Sequence, residues 1–250
     1  MNRWQYRRVE RRSAKRRRNL TFSPAAWLKL QWLAHAGDTE VGGFGISDKR
    51  DPLYVQEFVL LKQYTTATSV QFDDNAVADY YDNCVDRGLT PDCFSRVWIH
   101  SHPGSSPQPS GTDEQTFERV FGPCDWAVMF IVSRTGRTYA RLRFNSGPGG
   151  QTLLATNVDW EAWPALASNL QPAVAQWECE FTQNVIPLNP LQSHVLDAGA
   201  QSNSSLGSAP AWPLAWELDF PSSLHEQQAT EAELARQFEL TCHLLESPWR

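Results

Sequence analysis

The chain has no long apolar run: the longest, Trp126–Val132, has seven residues, against the ~20 that a helix needs to span a bilayer. An apolar stretch behind Arg16–Arg18 ends in Ala34-His35-Ala36 and imitates a secretory leader. Lys29 and Gln31 interrupt it, and Ser23-Pro24 is an N-cap and first-turn pair. Ala26, Leu30, Leu33 and Ala34 instead recur as on an amphipathic helix, which Gly37 would end. There is no internal repeat and no Cys-x-x-Cys; Cys84, Cys93, Cys124, Cys179 and Cys242 are scattered and odd in number, which reads as reduced thiols rather than a disulfide framework. These absences predict a soluble, cytoplasmic protein. Its 250 residues allow one domain, or one domain with an appendage. Hydrophobic residues make up 41%, somewhat below the globular average, whereas eleven tryptophans are many.

Charge is unevenly placed. Residues 1–18 hold nine Lys or Arg against Glu10, while the whole chain is −6. Such an arm could hold an acidic partner or be only a solvated start. Trp4 and Tyr6 are its only aromatics, too few for a stacking platform, so nucleic acid is not expected. From Gln151 onward twelve acids face only Arg236 and Arg250. His194, His225 and His243 in that region show no ligand spacing.

What stands out is His100-Ser101-His102-Pro103, then after six residues Ser110-Gly111-Thr112-Asp113, with Glu40-Val41-Gly42-Gly43-Phe44-Gly45 about sixty residues upstream. His100 and His102, spaced i, i+2, project from one face of a strand. Val97-Trp98-Ile99 predicts that strand, and Pro103 ends it because it cannot donate to a ladder. Ser110 and Asp113 open a helix whose predicted apolar stripe is Phe117, Val120 and Phe121. Two imidazoles and a carboxylate from Asp113 are the donor set of an open zinc site, which keeps a position for water. Ser-x-x-Asp is also a helix-capping pattern, and each element alone is weak. Jointly they predict a metal hydrolase.

This constellation resembles the JAMM, or MPN-plus, zinc metalloisopeptidases, whose signature is Glu, then His-Ser/Thr-His-Pro, six residues, Ser, two residues, Asp. Every signature position is filled, and the resemblance covers approximately Leu20 to Phe144, more like a stand-alone prokaryotic member than a proteasome-type subunit. It implies one Zn²⁺ per chain on His100, His102 and Asp113, Glu40 as general base, and Ser110 as a donor to the oxyanion, a task its cap role would share. It also implies the substrate, an amide between the C-terminal glycine of a ubiquitin-like modifier and a lysine, and so makes modifier and conjugates the partners. A peptidase trimming a modifier or sulfur-carrier precursor after its diglycine uses the same residues. A non-catalytic binding scaffold is the reading from another class.

The expected fold is α/β, a mixed, mostly antiparallel sheet flanked by helices as in the cytidine-deaminase-like JAMM fold, with a C-terminal helical extension. Strand 19–22, helix 24–36, strands 41–47 and 55–61, helix 74–87, strand 96–99, helix 113–121 and a hairpin 126–133/139–144 follow in order, with a last strand at 152–160. Helix 74–87 should bury Val77, Tyr80, Tyr81, Cys84 and Val85 and stop at Gly88. The predicted division is a basic arm at 1–18, a catalytic domain at 19–160, and an extension at 161–250 with helices near 172–185 and 230–245 and a flexible linker near 193–210. The last helix would dock on the catalytic domain or serve as a tethered partner-binding element.

Overall fold

The structure, a computed structural model, describes residues 19–167 and 169–188. The basic arm, the 193–210 linker, the 230–245 helix and the three C-terminal histidines lie outside the described residues.

Strand β1 (Asn19–Phe22) runs through Ser23 into α1 (Pro24–His35). Ser23 is extended and its hydroxyl accepts the Ala26 N–H, so the predicted cap forms. The stripe Ala26, Leu30, Leu33 and Ala34 is buried. β2 (Gly42–Ser47) and β3 (Tyr54–Leu60) pair antiparallel as expected. A small hairpin, β4 (Gln63–Thr65) and β5 (Val70–Phe72), then departs from the predicted order; three-residue strands are too short to show a period. α2 (Asp74–Asp86), a short α3 (Pro91–Phe94), β6 (Val97–His102) and α4 (Gly111–Phe121) follow. β6 thus extends through both histidines, beyond the strand end at Ile99. β7 (Trp126–Ser133) and β8 (Thr138–Phe144) form the predicted hairpin. The expected last strand is two, β9 (Gly150–Leu153) and β10 (Ala155–Val158). A 3₁₀ turn, α5 (Trp163–Ala167), α6 (Leu170–Asn184) and β11 (Val185–Pro187) complete the described chain.

Eight strands form one sheet in the order β10-β1-β3-β2-β6-β7-β8-β9, and β11-β4-β5 form a second. The large sheet is mixed and largely antiparallel, as anticipated: β1 pairs in parallel with β10 and β3, and β6 with β7, while the other four pairs are antiparallel. Its two edge strands are consecutive in the chain. Leu154, between them, donates its N–H to Ala140 O at 2.9 Å, and the Thr138 and Thr156 hydroxyls meet at 2.9 Å. The chain therefore bridges the sheet's own edges, which limits the backbone open to pairing with another molecule.

Alternation along the central strands divides the core into two layers. Phe22, Trp27, Leu30, Leu33, Val97 and Phe130 pack beneath α1 with Trp177 of α6. On the other face Phe44, Tyr80, Phe94, Trp98, Phe117 and Phe121 pack with α2 and α4. Two predicted stripes are narrower than expected. On α2 only Tyr80 and Cys84 are buried, and on α4 Val120 is exposed beside buried Phe117 and Phe121. A short helix lying on the sheet covers itself along one i, i+4 row only. Gly88 stops α2 at φ +71°, a conformation that costs glycine nothing.

Gly43 is required for a different reason: a Cβ there would lie 2.1 Å from Val59 O and 2.8 Å from the Phe58 ring. Gly43→Ala must push β3 away from β2. It should destabilise the protein by about 1–3 kcal/mol or more, measured by urea unfolding; an unchanged midpoint would mean that the two strands separate freely.

Candidate metal centre

The register of β2 against β6 builds the centre. Gly42 faces His100 and Gly43 faces Ile99, so continuing the antiparallel pairing brings Glu40 opposite His102. Trp98, His100 and His102 share the face toward α4, while Val97, Ile99 and Ser101 take the other. Asp113 comes from the first turn of α4, so three separate elements deliver the four groups.

The groups converge. His100 Nε2 lies 3.3 Å from Asp113 Oδ1, and His102 Nε2 lies 3.5 Å from Asp113 Oδ2 and 3.7 Å from Glu40 Oε1. One donor atom from each of His100, His102 and Asp113 falls within 4.8 Å of the others. Tetrahedral zinc, with bonds of ~2.0–2.2 Å, sets its donors ~3.4 Å apart, close to the spacings observed. Both ring nitrogens of buried His100 and Nε2 of His102 have no hydrogen-bond partner; buried orphans of this kind call for an explanation, and a cation supplies one. His102 Nδ1 donates to Ser106 O at 3.1 Å, which fixes the tautomer that leaves Nε2 a lone pair facing the acids.

The electrostatics of Asp113 and His100 agree with this donor set, whereas His102 must lose a proton to join it. Burial would raise the Asp113 carboxyl, but His100, His102 and the Ser110 backbone N–H hold it well below the usual carboxylate range. Burial pushes His100 down despite Asp113, keeping it neutral as a ligand must be. His102 is raised, because Asp113, Glu40 and the Ser106 carbonyl outweigh its burial. Glu40 is pushed up to about 8, first by burial, with Asp113 adding and His102 opposing. A nearby cation would lower it again.

Ser110 caps α4: its hydroxyl accepts the Asp113 N–H at 3.1 Å and donates to Asp113 Oδ2 at 2.8 Å, while its own N–H reaches the same oxygen at 2.7 Å. The capping alternative is therefore visible, and it also aims Asp113. Arg141 of β8 grips Glu114 through two bonds of 2.8 and 2.6 Å, which holds this first turn against the sheet.

Sequence reasoning missed several lining residues. The Trp98 ring packs on His100 with centroids 4.5 Å apart, and Phe117 and Phe121 stack behind it. Trp98 was legible, standing two residues before His100 and so on its face. Ser69, Val70 and Thr116 line a cavity of about 30 Å³ with Glu40 and His100, room for one or two waters; no local signal marks them. His35, given no role from sequence, bridges Gln31 O at 2.8 Å and Arg134 O at 2.9 Å. Arg134 in turn donates its N–H to His102 O and Gly104 O, bracing the loop after β6.

Residues 29–145 match the family described as prokaryotic homologs of the JAB domain. That segment belongs to the JAB, or JAMM/MPN, family. No curated protein matches the chain. The JAB domain here carries a buried His-His-Asp cluster of metallopeptidase type. Among the described residues no helix is long and apolar enough to cross a membrane.

In the metal-free protein the unfolded chain releases the Glu40 proton near 4.5 while the folded chain keeps it to about 8, so this group costs stability as pH rises through that interval. Glu40→Gln should flatten the decline in Tm between those pH values; parallel curves for the two proteins would show an ordinary Glu40. Asp113→Ala should abolish stoichiometric zinc binding, read by metal analysis after dialysis.

Proposed function

We propose that the protein is a zinc-dependent isopeptidase that cleaves the amide between the C-terminal glycine of a ubiquitin-like modifier and a lysine side chain. The observation that carries this reading is the convergence of His100, His102 and Asp113 beside an acid, Glu40, that is not needed as a ligand. Neutral His100, His102 once it has given up its Nε2 proton, and the ionised Asp113 would hold the metal. Zinc bound there would polarise the scissile carbonyl and make water a nucleophile at neutral pH.

The remaining chemistry falls to the chain's own groups. Glu40, at the wall of a cavity that fits one or two waters, accepts the proton of the attacking water. It then gives that proton to the leaving amine, which departs poorly as an anion. The Ser110 hydroxyl, turned from Asp113, would donate to the oxyanion. Trp98 and Val70 line the same small cavity as Glu40; a scissile bond bound there would have little space beside it, which would favour a glycine. β5 is an edge strand of its sheet and adjoins the cavity through Val70, so a slim extended tail would add to it by main-chain hydrogen bonds.

The test offers a lysine-branched modifier conjugate and a linear diglycine-extended precursor side by side, with metal content measured. Wild type should hold about one zinc per chain and cleave the branched conjugate; Glu40→Gln should keep the metal and lose turnover. Cleavage of the linear precursor alone would replace this reading with precursor processing. An active Glu40→Gln protein would overturn the mechanism, and failure to bind zinc would favour a binding scaffold. Ser110→Ala should bind zinc and turn over ~10²-fold more slowly or worse; normal turnover with lowered stability would leave Ser110 as a cap alone.

A further inference from the structure

Glu40 precedes β2, and a carboxylate on an unanchored approach to a strand would not keep its place over the ligands. We propose that Ser101 and Gln63 are positioning residues that lock the Glu40–Val41–Gly42 backbone against the histidine strand. The proposal rests on the isopeptidase reading only for the task it gives Glu40.

Ser101 stands between the two histidines in sequence, but the pleat turns its side chain to the opposite face, where the residue is 1% exposed. It therefore cannot reach the reacting atoms. Its backbone N–H donates to Val41 O at 2.8 Å, and its hydroxyl accepts the Val41 N–H at 3.0 Å. Both polar groups of Val41 thus end on Ser101, with the hydroxyl standing where a ladder carbonyl would be.

Gln63 does the same for Gly42. It is 0% exposed; its Oε1 accepts the Gly42 N–H at 2.8 Å, and its Nε2 donates to Gly42 O at 2.8 Å and Leu61 O at 2.7 Å. This amide acts as one rung of backbone in side-chain form. Glu40 donates its own N–H to Thr66 O at 2.8 Å, and the Thr39 and Thr65 hydroxyls meet at 2.8 Å. Three consecutive residues are anchored by three different partners, and two of those partners come from β4 and the residue after it.

β4 has its own brace. β11 lies parallel to it with Val185 opposite Gln63, and Leu188 donates its N–H to Thr65 O at 2.8 Å. β11 lies beyond residues 29–145, the segment that matches the family. The part of the chain outside the family segment therefore backs the strand that holds the base.

The experiment compares wild type, Ser101→Ala, Ser101→Thr and Gln63→Leu as full chains. It reads amide hydrogen exchange at Val41 and Gly42, zinc content, and kcat and KM on the branched conjugate. Ser101→Ala should speed Val41 exchange by about tenfold or more and keep its zinc. Its kcat should fall by ~10²-fold at nearly constant KM. Ser101→Thr, which restores the hydroxyl, should recover protection and turnover, and Gln63→Leu should expose Gly42 in the same way. Unchanged exchange at Val41 and Gly42, or activity lost only in proportion to zinc, would overturn the proposal. If wild type cleaves no conjugate, the isopeptidase reading fails while the exchange data still decide the clamp.

Discussion

The pleat of β6 is the constraint on which the rest of the centre depends. β6 is an interior strand, bonded to β2 on one side and β7 on the other, so its backbone has no freedom to rotate. Alternation then sends Trp98, His100 and His102 toward α4 and Val97, Ile99 and Ser101 toward α1. A slip of one residue would turn both imidazoles into the Phe22 and Phe130 layer and bring Ser101 to the acids. The same register sets Glu40 across from His102, so both histidines and Glu40 are placed by one ladder, and only Asp113 arrives from a helix.

Such a centre is costly before any ion enters. Two acids, two imidazoles and three unpartnered ring nitrogens share a largely buried space; burial drives the shifts of Glu40 and His100, and at His102 and Asp113 the neighbouring groups outweigh it. A cation bound only by the folded state would satisfy the orphans and return stability in proportion to its affinity. The surrounding groups restrain relaxation in the meantime. The aromatic slab of Trp98, Phe117 and Phe121 backs His100, and Arg141 with Glu114 holds the turn that presents Asp113. These contacts hold the elements that deliver His100 and Asp113, whose nearest atoms lie 3.3 Å apart.

The legible part of this protein was the part with local signals. Ser23-Pro24, the i, i+2 histidines and Ser110-x-x-Asp113 each encode geometry within a few residues, and each element they imply is present. The hairpin at 63–72 was not legible, because three-residue strands owe their existence to their neighbours. The overwide stripes on α2 and α4 have the same origin: periodicity states which residues could face a core, and packing decides how many do. Gln63 looked like any polar residue in a short segment. Its function depends on Gly42, twenty-one positions away and adjacent only through the β2–β3 reversal. His100, His102 and Asp113 were visible because their spacing is chemical, whereas the residues that anchor the segment carrying Glu40 are visible only in three dimensions.

The family segment does not contain its own closure. β1 lies before it and β10 after it, yet β1 sits between β10 and β3 and completes the layer under α1. Trp177 of α6 is buried in that same layer, and Lys29 of α1 pairs with Glu180 at 2.5 Å. Without these flanks β3 would present an unpaired edge directly beside β2, the strand that Glu40 leads into. An open edge can pair with another chain or shift its register, and a shift in β3 passes straight to Gly43, which has no space to give against Val59 O. The order of the centre is therefore a property of the closed sheet, and the residues on either side of the family segment supply that closure.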